Sequence, residues 1–166
     1  MGSKTNKNGL RFEVETNLMG HSKLVYVKFH PQEDSPIFIA APKNNLDKYM
    51  IAHRQRANVG DGHGCKKPDE CYINEAARII FIIEKKFQNC SGSACEKIQT
   101  AEFKRWQYSQ MYPNYKIVYI YCLSSWFKKK CKKELEYLNL INVPVFFGDD
   151  DNYRELIIDF LVNYTI

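Results

Sequence analysis

One uninterrupted apolar run, residues 79–83 (IIFII), restricts the possible folds of this chain more than any other feature. It is apolar at both odd and even positions, so both faces of the strand that it forms must be covered. The preceding segment, residues 70–73, is also strand-like, and a short polar turn separates the two. The pattern predicts a β-hairpin whose second strand lies in the centre of a sheet.

The segments around this hairpin predict an α/β fold. Ser93 and Glu96 fit a capping box that opens a helix, which must end before Pro113. Further elements are expected as strands at 116–123 and 143–147 and as helices at 128–140 and after 149–151. Earlier elements are expected as strands at 10–14 and 24–29, an apolar segment at 37–41, a helix at 46–52 and a glycine-rich loop at 58–64. The predicted fold is a mixed central β-sheet flanked by helices, in a single domain spanning 1–166.

Composition excludes several classes of protein. The 166 residues carry 24 Lys and Arg against 19 Asp and Glu, and the net charge of +5 permits an anionic partner without requiring one. We find neither an apolar run of the ~18 residues that a transmembrane helix needs nor the apolar core of a secretory signal. We therefore expect no membrane association and a cytoplasmic location. The six cysteines form no C-x-x-C pair, so we expect reduced thiols instead of a zinc site.

Charged side chains are expected to converge at the open end of the hairpin. If the turn centres near Ala76 and Ala77, Asp69 falls opposite Glu84. Alternation along the strand places Lys86 on the same face as Glu84. Two carboxylates directly across a ladder repel each other, so the arrangement calls for a compensating cation.

This grouping suits the hydrolysis of a phosphodiester. Carboxylates are hard oxygen ligands for Mg²⁺, which lowers the pKa of a bound water and neutralises charge on a phosphoryl oxygen. A neighbouring lysine can orient that water or stabilise the charged transition state.

The segment closely resembles the signature of the PD-(D/E)XK nuclease superfamily. It contains Pro68-Asp69, fourteen intervening residues and then Glu84-Lys85-Lys86, and Gln88 extends it to the E-x-K-x-Q form of several type II restriction endonucleases. The resemblance covers roughly residues 66–147, the expected catalytic core, and includes the apolar strand, the following helix and strand 116–123.

The resemblance implies a role for each of these residues. Asp69, Glu84 and the backbone carbonyl of Lys85 would hold Mg²⁺, with Mn²⁺ as a substitute, and Lys86 would be the catalytic lysine. Gln88 would lie just outside the ligand shell or face the phosphate. Either Glu70 or Glu75 would replace Asp69 if the register differs, and otherwise both would support the site from outside.

Candidate DNA contacts lie on both sides of this motif. Arg54, Gln55 and Arg56 have side chains able to read guanine and adenine, although a solvated loop explains each of them singly. Lys66 and Lys67 are candidates for phosphate contact. The remaining candidates are Ser91, Ser93 and Lys97. The basic run at 128–133 and the acids at 149–151 are interpreted as a solvated helix face and a helix start.

The resemblance thus implies a magnesium-dependent, sequence-specific endonuclease of type II restriction type that cleaves double-stranded DNA as a homodimer without an organic cofactor. Residues 1–65 would contribute to recognition or dimerisation. Two alternatives remain open. One is a structure-specific repair or recombination nuclease, and the other is a non-catalytic DNA-binding module.

Overall fold

A computed structural model describes residues 2–20, 23–58, 67–90 and 93–165. The strands in this part of the chain are β1 (Val25–Lys28), β2 (Ile37–Ala40), β3 (Glu70–Asn74), β4 (Ile79–Lys86), β5 (Lys116–Leu123) and β6 (Val145–Phe147). The helices are α1 (Gly2–Glu15), α2 (Asn44–Ala52), α3 (Ala94–Ile98), α4 (Ala101–Met111), α5 (Trp126–Lys130), α6 (Lys132–Leu140) and α7 (Tyr153–Asn163).

The strands form one six-stranded sheet in the order of the sequence, from β1 to β6. The pairs β1–β2, β2–β3 and β3–β4 are antiparallel, whereas β5–β6 is parallel. β4 and β5 run in the same direction, since the backbone N–H groups of Lys116 and Ser124 bond the carbonyls of Arg78 and Lys86 with the same offset. The prediction of an α/β fold with a mixed sheet flanked by helices is confirmed.

The predicted hairpin and its register are confirmed. Cys71 pairs with Ile82 and Ile73 pairs with Ile80. Residues 79–83 are each at most 1% exposed, as expected of a strand that is covered on both faces.

Three predicted elements need correction. Residues 10–14 form part of α1 and not a strand, because Phe12 and Thr16 are buried four residues apart while Leu10 and Val14 are 54% and 74% exposed. The alternation of Leu10, Phe12 and Val14 imitated a strand. The single helix predicted at 128–140 is divided at Cys131 into α5 and α6. The single helix predicted between Ser93 and Pro113 is likewise divided, by a turn at residues 99–100, into α3 and α4.

A disulfide bond joins Cys95 in α3 to Cys131, with Cα atoms 5.6 Å apart. The prediction that the cysteines are reduced is therefore wrong for this pair. Their separation of 36 residues concealed the pairing, because it depends on how α3 packs beside the α5–α6 junction. Cys71, Cys90 and Cys122 do not take part in a disulfide bond.

The chain's internal contacts divide it into two compact units. One contains Met1–Gly20, Glu84–Glu102 and Ile120–Ile166, and the other contains His21–Ile83 and Phe103–Tyr119. The core of the first includes Phe12, Phe127, Leu138 and Ile157. The second contains an aromatic cluster of Phe29, Phe38, Tyr72 and Phe81, whose neighbouring rings meet edge to face or tilted. The single domain predicted over 1–166 stays a prediction. None of the described helices is long and apolar enough to cross a membrane.

Candidate functional site

Glu84 and Lys86 project from the same face near the end of β4. Strand alternation places them side by side, and the Lys86 ammonium donates to Glu84 Oε1 at 2.6 Å. The Lys86 side chain is 27% exposed and the Glu84 side chain is 16% exposed. The pair therefore presents an ordered cation and carboxylate that solvent still reaches.

Lys85 has the opposite orientation and a different environment. It is only 3% exposed, and its ammonium donates to the backbone carbonyl of Glu13 in α1 at 3.0 Å. A buried charge needs such a partner. The Lys85 side chain thus anchors α1 to β4, while the predicted role of its carbonyl as a metal ligand stays a prediction.

Asp69 and Glu70 stand at the start of β3. Asp69 precedes the strand and is half-buried, while Glu70 is 3% exposed and pairs with Ile83. The Tyr72 hydroxyl donates to Glu70 Oε1 at 2.7 Å. Direct cross-strand partners share a face, so Glu70 lies on the face of Ile83, opposite to that of Glu84. This position disfavours Glu70 as the replacement for Asp69.

Glu75 lies in the turn at the other end of the hairpin. Its carboxylate accepts hydrogen bonds from the hydroxyls of Tyr49 and Tyr115 at 2.9 Å and from Arg78 at 3.3 Å. Burial, followed by the bonds to Glu75, raises the pKa of both tyrosines above its ordinary value. These contacts give Glu75 a structural role at the turn, away from Glu70.

Gln88 follows β4 in a loop that is fixed by Ser124. Its backbone N–H donates to Ser124 Oγ at 3.0 Å, and Ser124 Oγ donates to the Gln88 carbonyl at 2.9 Å. The Gln88 side-chain amide donates to the carbonyl of Cys90 at 2.7 Å. In this arrangement the amide holds its own loop together, and the predicted role beside the metal or phosphate stays a prediction.

The loop after α2 contains three predicted base readers with different surroundings. Arg56 forms a partly buried ion pair with Asp47 at 2.5 Å, and Gln55 accepts a hydrogen bond from Asn114 at 3.1 Å. Arg54 is exposed, and its φ of 56° lies in the left-handed region. Arg56 is therefore committed to a contact within the protein, whereas Arg54 faces solvent.

The remaining predicted DNA contacts are partly outside the described residues. Lys66 and Ser91 lie outside them, as does the glycine-rich loop beyond Asn58. Lys67 and Lys97 are exposed. Ser93 directly precedes α3, but its hydroxyl makes no capping hydrogen bond, so that part of the capping-box prediction is wrong.

A cleft of about 250 Å³, which was not predicted from the sequence, lies beside the end of β4. It is lined by Phe87, Gln88, Asn89, Ser124, Ser125, Trp126, Lys129 and Asp149. A usable signal was present, because these residues lie directly after strands 79–86, 116–123 and 145–147 or one turn into the next helix. Carboxyl ends of parallel strands are common ligand sites.

One group of potential metal ligands occurs within the described residues. Cys95, Cys131 and Glu134 have ligating atoms within 4.8 Å of one another. The two sulfurs form the disulfide, and sulfur is a soft donor that does not suit Mg²⁺. This group is therefore distinct from the predicted magnesium site.

Comparison with known proteins adds no assignment. No protein-family model matches the chain, and neither a curated protein nor a solved structure was found to be similar to it. The structure defines the chain as an α/β protein with a mixed six-stranded sheet. Its activity has to be inferred from the chemistry of its own side chains.

Proposed function

We propose that the protein is a magnesium-dependent endonuclease of the PD-(D/E)XK type that hydrolyses double-stranded DNA. The observation that carries this proposal is the pairing of Glu84 with Lys86 at 2.6 Å on one face of a buried central strand. The hairpin has the register that the motif requires, with Glu70 paired to Ile83 and Asp69 immediately before it. Support also comes from the succession of apolar strand, helix and parallel strand in β4, α3–α4 and β5.

The donor set fits a hard divalent cation. Asp69 and Glu84 offer carboxylate oxygens and Lys85 offers a backbone carbonyl, all of which are ligands suited to Mg²⁺ or Mn²⁺. When bound, the metal would activate a water molecule and neutralise charge on a phosphoryl oxygen.

Lys86 supplies the second positive charge. Its ammonium is held by Glu84 but keeps further N–H donors, since a lysine has three. In hydrolysis a water oxygen forms a bond to phosphorus, one P–O ester bond breaks, and the leaving oxygen takes up a proton. Lys86 donates to the phosphoryl oxygen whose negative charge increases in that step.

The finer proposal is a sequence-specific restriction enzyme acting as a homodimer. Two active sites are needed to cut both strands, and a twofold assembly matches a palindromic target. The location predicted for such an enzyme is the cytoplasm. The Cys95–Cys131 disulfide counts against that location, since disulfides are rare in reducing compartments.

Plasmid DNA incubated with Mg²⁺, followed by sequencing of the ends, tests the proposal. Discrete sites support restriction, whereas cuts at branches or mismatches support a repair or recombination nuclease. Glu84→Gln should abolish cleavage, and Glu136→Gln, at an exposed carboxylate of α6, should not. If neither Mg²⁺ nor Mn²⁺ gives cleavage, the nuclease proposal is wrong and a non-catalytic DNA-binding module is favoured.

Metal binding can be measured without cleavage. A ligand at a hundredfold excess over its dissociation constant stabilises the folded state by about 2.7 kcal/mol. Ca²⁺ should therefore raise the melting temperature, and Asp69→Asn should remove most of that rise. An unchanged response in both Asp69→Asn and Glu84→Gln would exclude these ligands.

A further inference from the structure

The cleft beside β4 is built by the carboxyl ends of three parallel strands. Asn89 follows β4, Ser125 and Trp126 follow β5, and Asp149 follows β6. Its volume of about 250 Å³ is below the roughly 300–1,000 Å³ of clefts that hold drug-sized ligands. A ligand as large as a nucleotide would therefore lie only partly inside the cleft, with the remainder in solvent.

Hydrogen bonds fix the walls of the cleft. The Ser125 backbone N–H donates to Asp149 Oδ2 at 2.6 Å, which ties the loop after β5 to the loop after β6. Ser124 ties the same loop to Gln88 through two hydrogen bonds of 3.0 and 2.9 Å. A binding site with ordered walls loses less entropy when it takes up a ligand.

The lining combines three kinds of recognition. Trp126 is half-buried, and Phe127 supports its ring edge to face with centroids 5.3 Å apart. Lys129 is exposed one helical turn later, on the same side of α5. The Asp149 carboxylate and the Asn89 amide complete the polar lining. An aromatic surface, a cation and a hydrogen-bond acceptor match the ring, phosphate and N–H groups of a nucleotide.

Other ligands fit this lining less well. A free inorganic anion would meet the Asp149 carboxylate, which repels it. A purely apolar molecule would remove Lys129, Asp149 and Asn89 from water without giving them partners. A nucleotide satisfies all three.

We propose that this cleft binds one nucleotide of a DNA strand, with the base against Trp126 and the phosphate at Lys129. Asp149 retains lone pairs beyond the one used by Ser125, so it accepts N–H groups from the edge of the base. Guanine presents two adjacent N–H donors and should bind best. That the nucleotide belongs to DNA rests on the proposed nuclease function. Gln88 lines the cleft and lies only two residues after Lys86, the proposed catalytic lysine.

Tryptophan fluorescence tests the proposal. The chain has two tryptophans, and Trp106→Phe removes the exposed one, leaving Trp126 as the reporter. Titration with dGMP should give saturable quenching, with weaker binding for dTMP and none for inorganic phosphate. Calorimetry on the unmodified chain repeats the measurement without any substitution.

Two variants and one control identify the cleft. Lys129→Ala should weaken dGMP binding at least tenfold, and Asp149→Asn should reduce the preference for dGMP over dTMP. Lys130→Ala removes a neighbouring exposed lysine of α5 outside the cleft and should change neither value. The absence of saturable binding, or equal binding in all three variants, would overturn the proposal.

A competition experiment separates this inference from the nuclease proposal. Duplex DNA should displace dGMP, and failure to displace it would overturn DNA as the source of the nucleotide. Binding of dGMP and DNA without any cleavage in Mg²⁺ would contradict the nuclease proposal and would still support nucleotide binding in the cleft. The converse result is that the protein cleaves DNA without binding dGMP, and that Lys129→Ala cuts at the same sites as the unsubstituted protein. That result would overturn the nucleotide-binding proposal and leave the nuclease proposal standing.

Discussion

Lys85 and Lys86 are adjacent in sequence, but the alternation of β4 gives them different surroundings. The Lys85 ammonium is buried against the carbonyl of Glu13, whereas the Lys86 ammonium is paired with Glu84 where solvent reaches it. An E-K-K sequence by itself does not distinguish the two lysines. The hairpin register does, because it fixes which residues of β4 share a face.

We predict that Lys86→Ala loses cleavage and keeps DNA binding. A group that stabilises charge mainly in the transition state contributes to the rate and little to the ground state, and its removal typically costs about a hundred- to a thousandfold. Single-turnover cleavage in Mg²⁺ and DNA affinity in Ca²⁺ measure the two effects separately.

Lys85→Ala and Lys130→Ala are the comparisons. Lys85→Ala should lower the free energy of unfolding by about 1–3 kcal/mol, because the Glu13 carbonyl loses its donor. Lys130→Ala should leave both cleavage and stability unchanged. Normal cleavage by Lys86→Ala would remove the catalytic role from this lysine.

A second prediction at the scale of single residues concerns Tyr49 and Tyr115, whose hydroxyls bond Glu75. An unfolded tyrosine ionises near pH 10, and burial with the Glu75 bonds raises the pKa of Tyr49 and Tyr115 in the folded chain. Below pH 10 both states are protonated and the stabilisation is complete. Above it, the unfolded state loses protons first, so the free energy of unfolding falls.

Urea unfolding at a series of pH values from about 9 upward measures this fall. Tyr49→Phe should make the decline shallower, because one of the raised groups is gone. Tyr137→Phe is the matched control, since that hydroxyl also bonds a carboxylate, Glu102, but from an exposed position. If the free energy of unfolding fell equally steeply with pH in Tyr49→Phe and in the unsubstituted chain, the raised pKa of Tyr49 would be contradicted.

At the scale of elements, α1 depends on a close approach to the residue that follows β6. A Cβ on Gly148 would lie 2.7 Å from Phe12 Cζ and would also overlap the side chain of Thr16. Phe12 and Thr16 are buried, so neither has free space to move into. Gly148→Ala should therefore destabilise the protein by about 1–3 kcal/mol.

Chemical denaturation of Gly148→Ala checks this value. Gly9→Ala is the control, since a Cβ at Gly9 meets nothing within 4 Å. That variant should be neutral or stabilising, because alanine favours a helix more than glycine does. Equal stability of the two variants would contradict the packing of α1 described above.

The sequence predicted strands better than helices in this chain. Strand 116–123 was predicted to the residue and the hairpin register was correct, since short apolar runs bounded by turns specify both. The helix α1 was missed because three apolar residues in alternation fit a strand as well as a helix. The break between α5 and α6 could not be predicted, because it occurs at Cys131, whose position depends on a disulfide across the fold.

The candidate site was predictable only where local periodicity determines it. The shared face of Glu84 and Lys86 follows from strand alternation alone. The ion pair of Arg56 with Asp47 and the burial of Glu70 depend on tertiary packing, which no spacing in the sequence encodes. The cleft at Trp126 combines three loops distant in sequence, and predicting it required noticing that all three loops follow strands of the same sheet.

At the scale of the whole molecule, the Cys95–Cys131 disulfide is the interaction whose removal we expect to lower the free energy of unfolding most. A cross-link across 36 residues restricts the unfolded chain and is worth about 3–4 kcal/mol in the chain-entropy model. Reduction with dithiothreitol, or the double variant Cys95→Ser and Cys131→Ser, should lower stability by a similar amount. Cys90→Ser, at an exposed free thiol, should have no effect. Equal stability with and without the reductant would contradict the bond.

The contacts of α1 also affect the order of events during synthesis. Its partners include Phe87, Lys85 and Gly148, all of which come far later in the chain. The ribosome therefore releases this helix long before the surface that it covers exists, and an isolated helix of its length is marginal in water. Docking of α1 must wait until β6 has emerged, so α1 reaches its native position only after all six strands of the sheet have been translated.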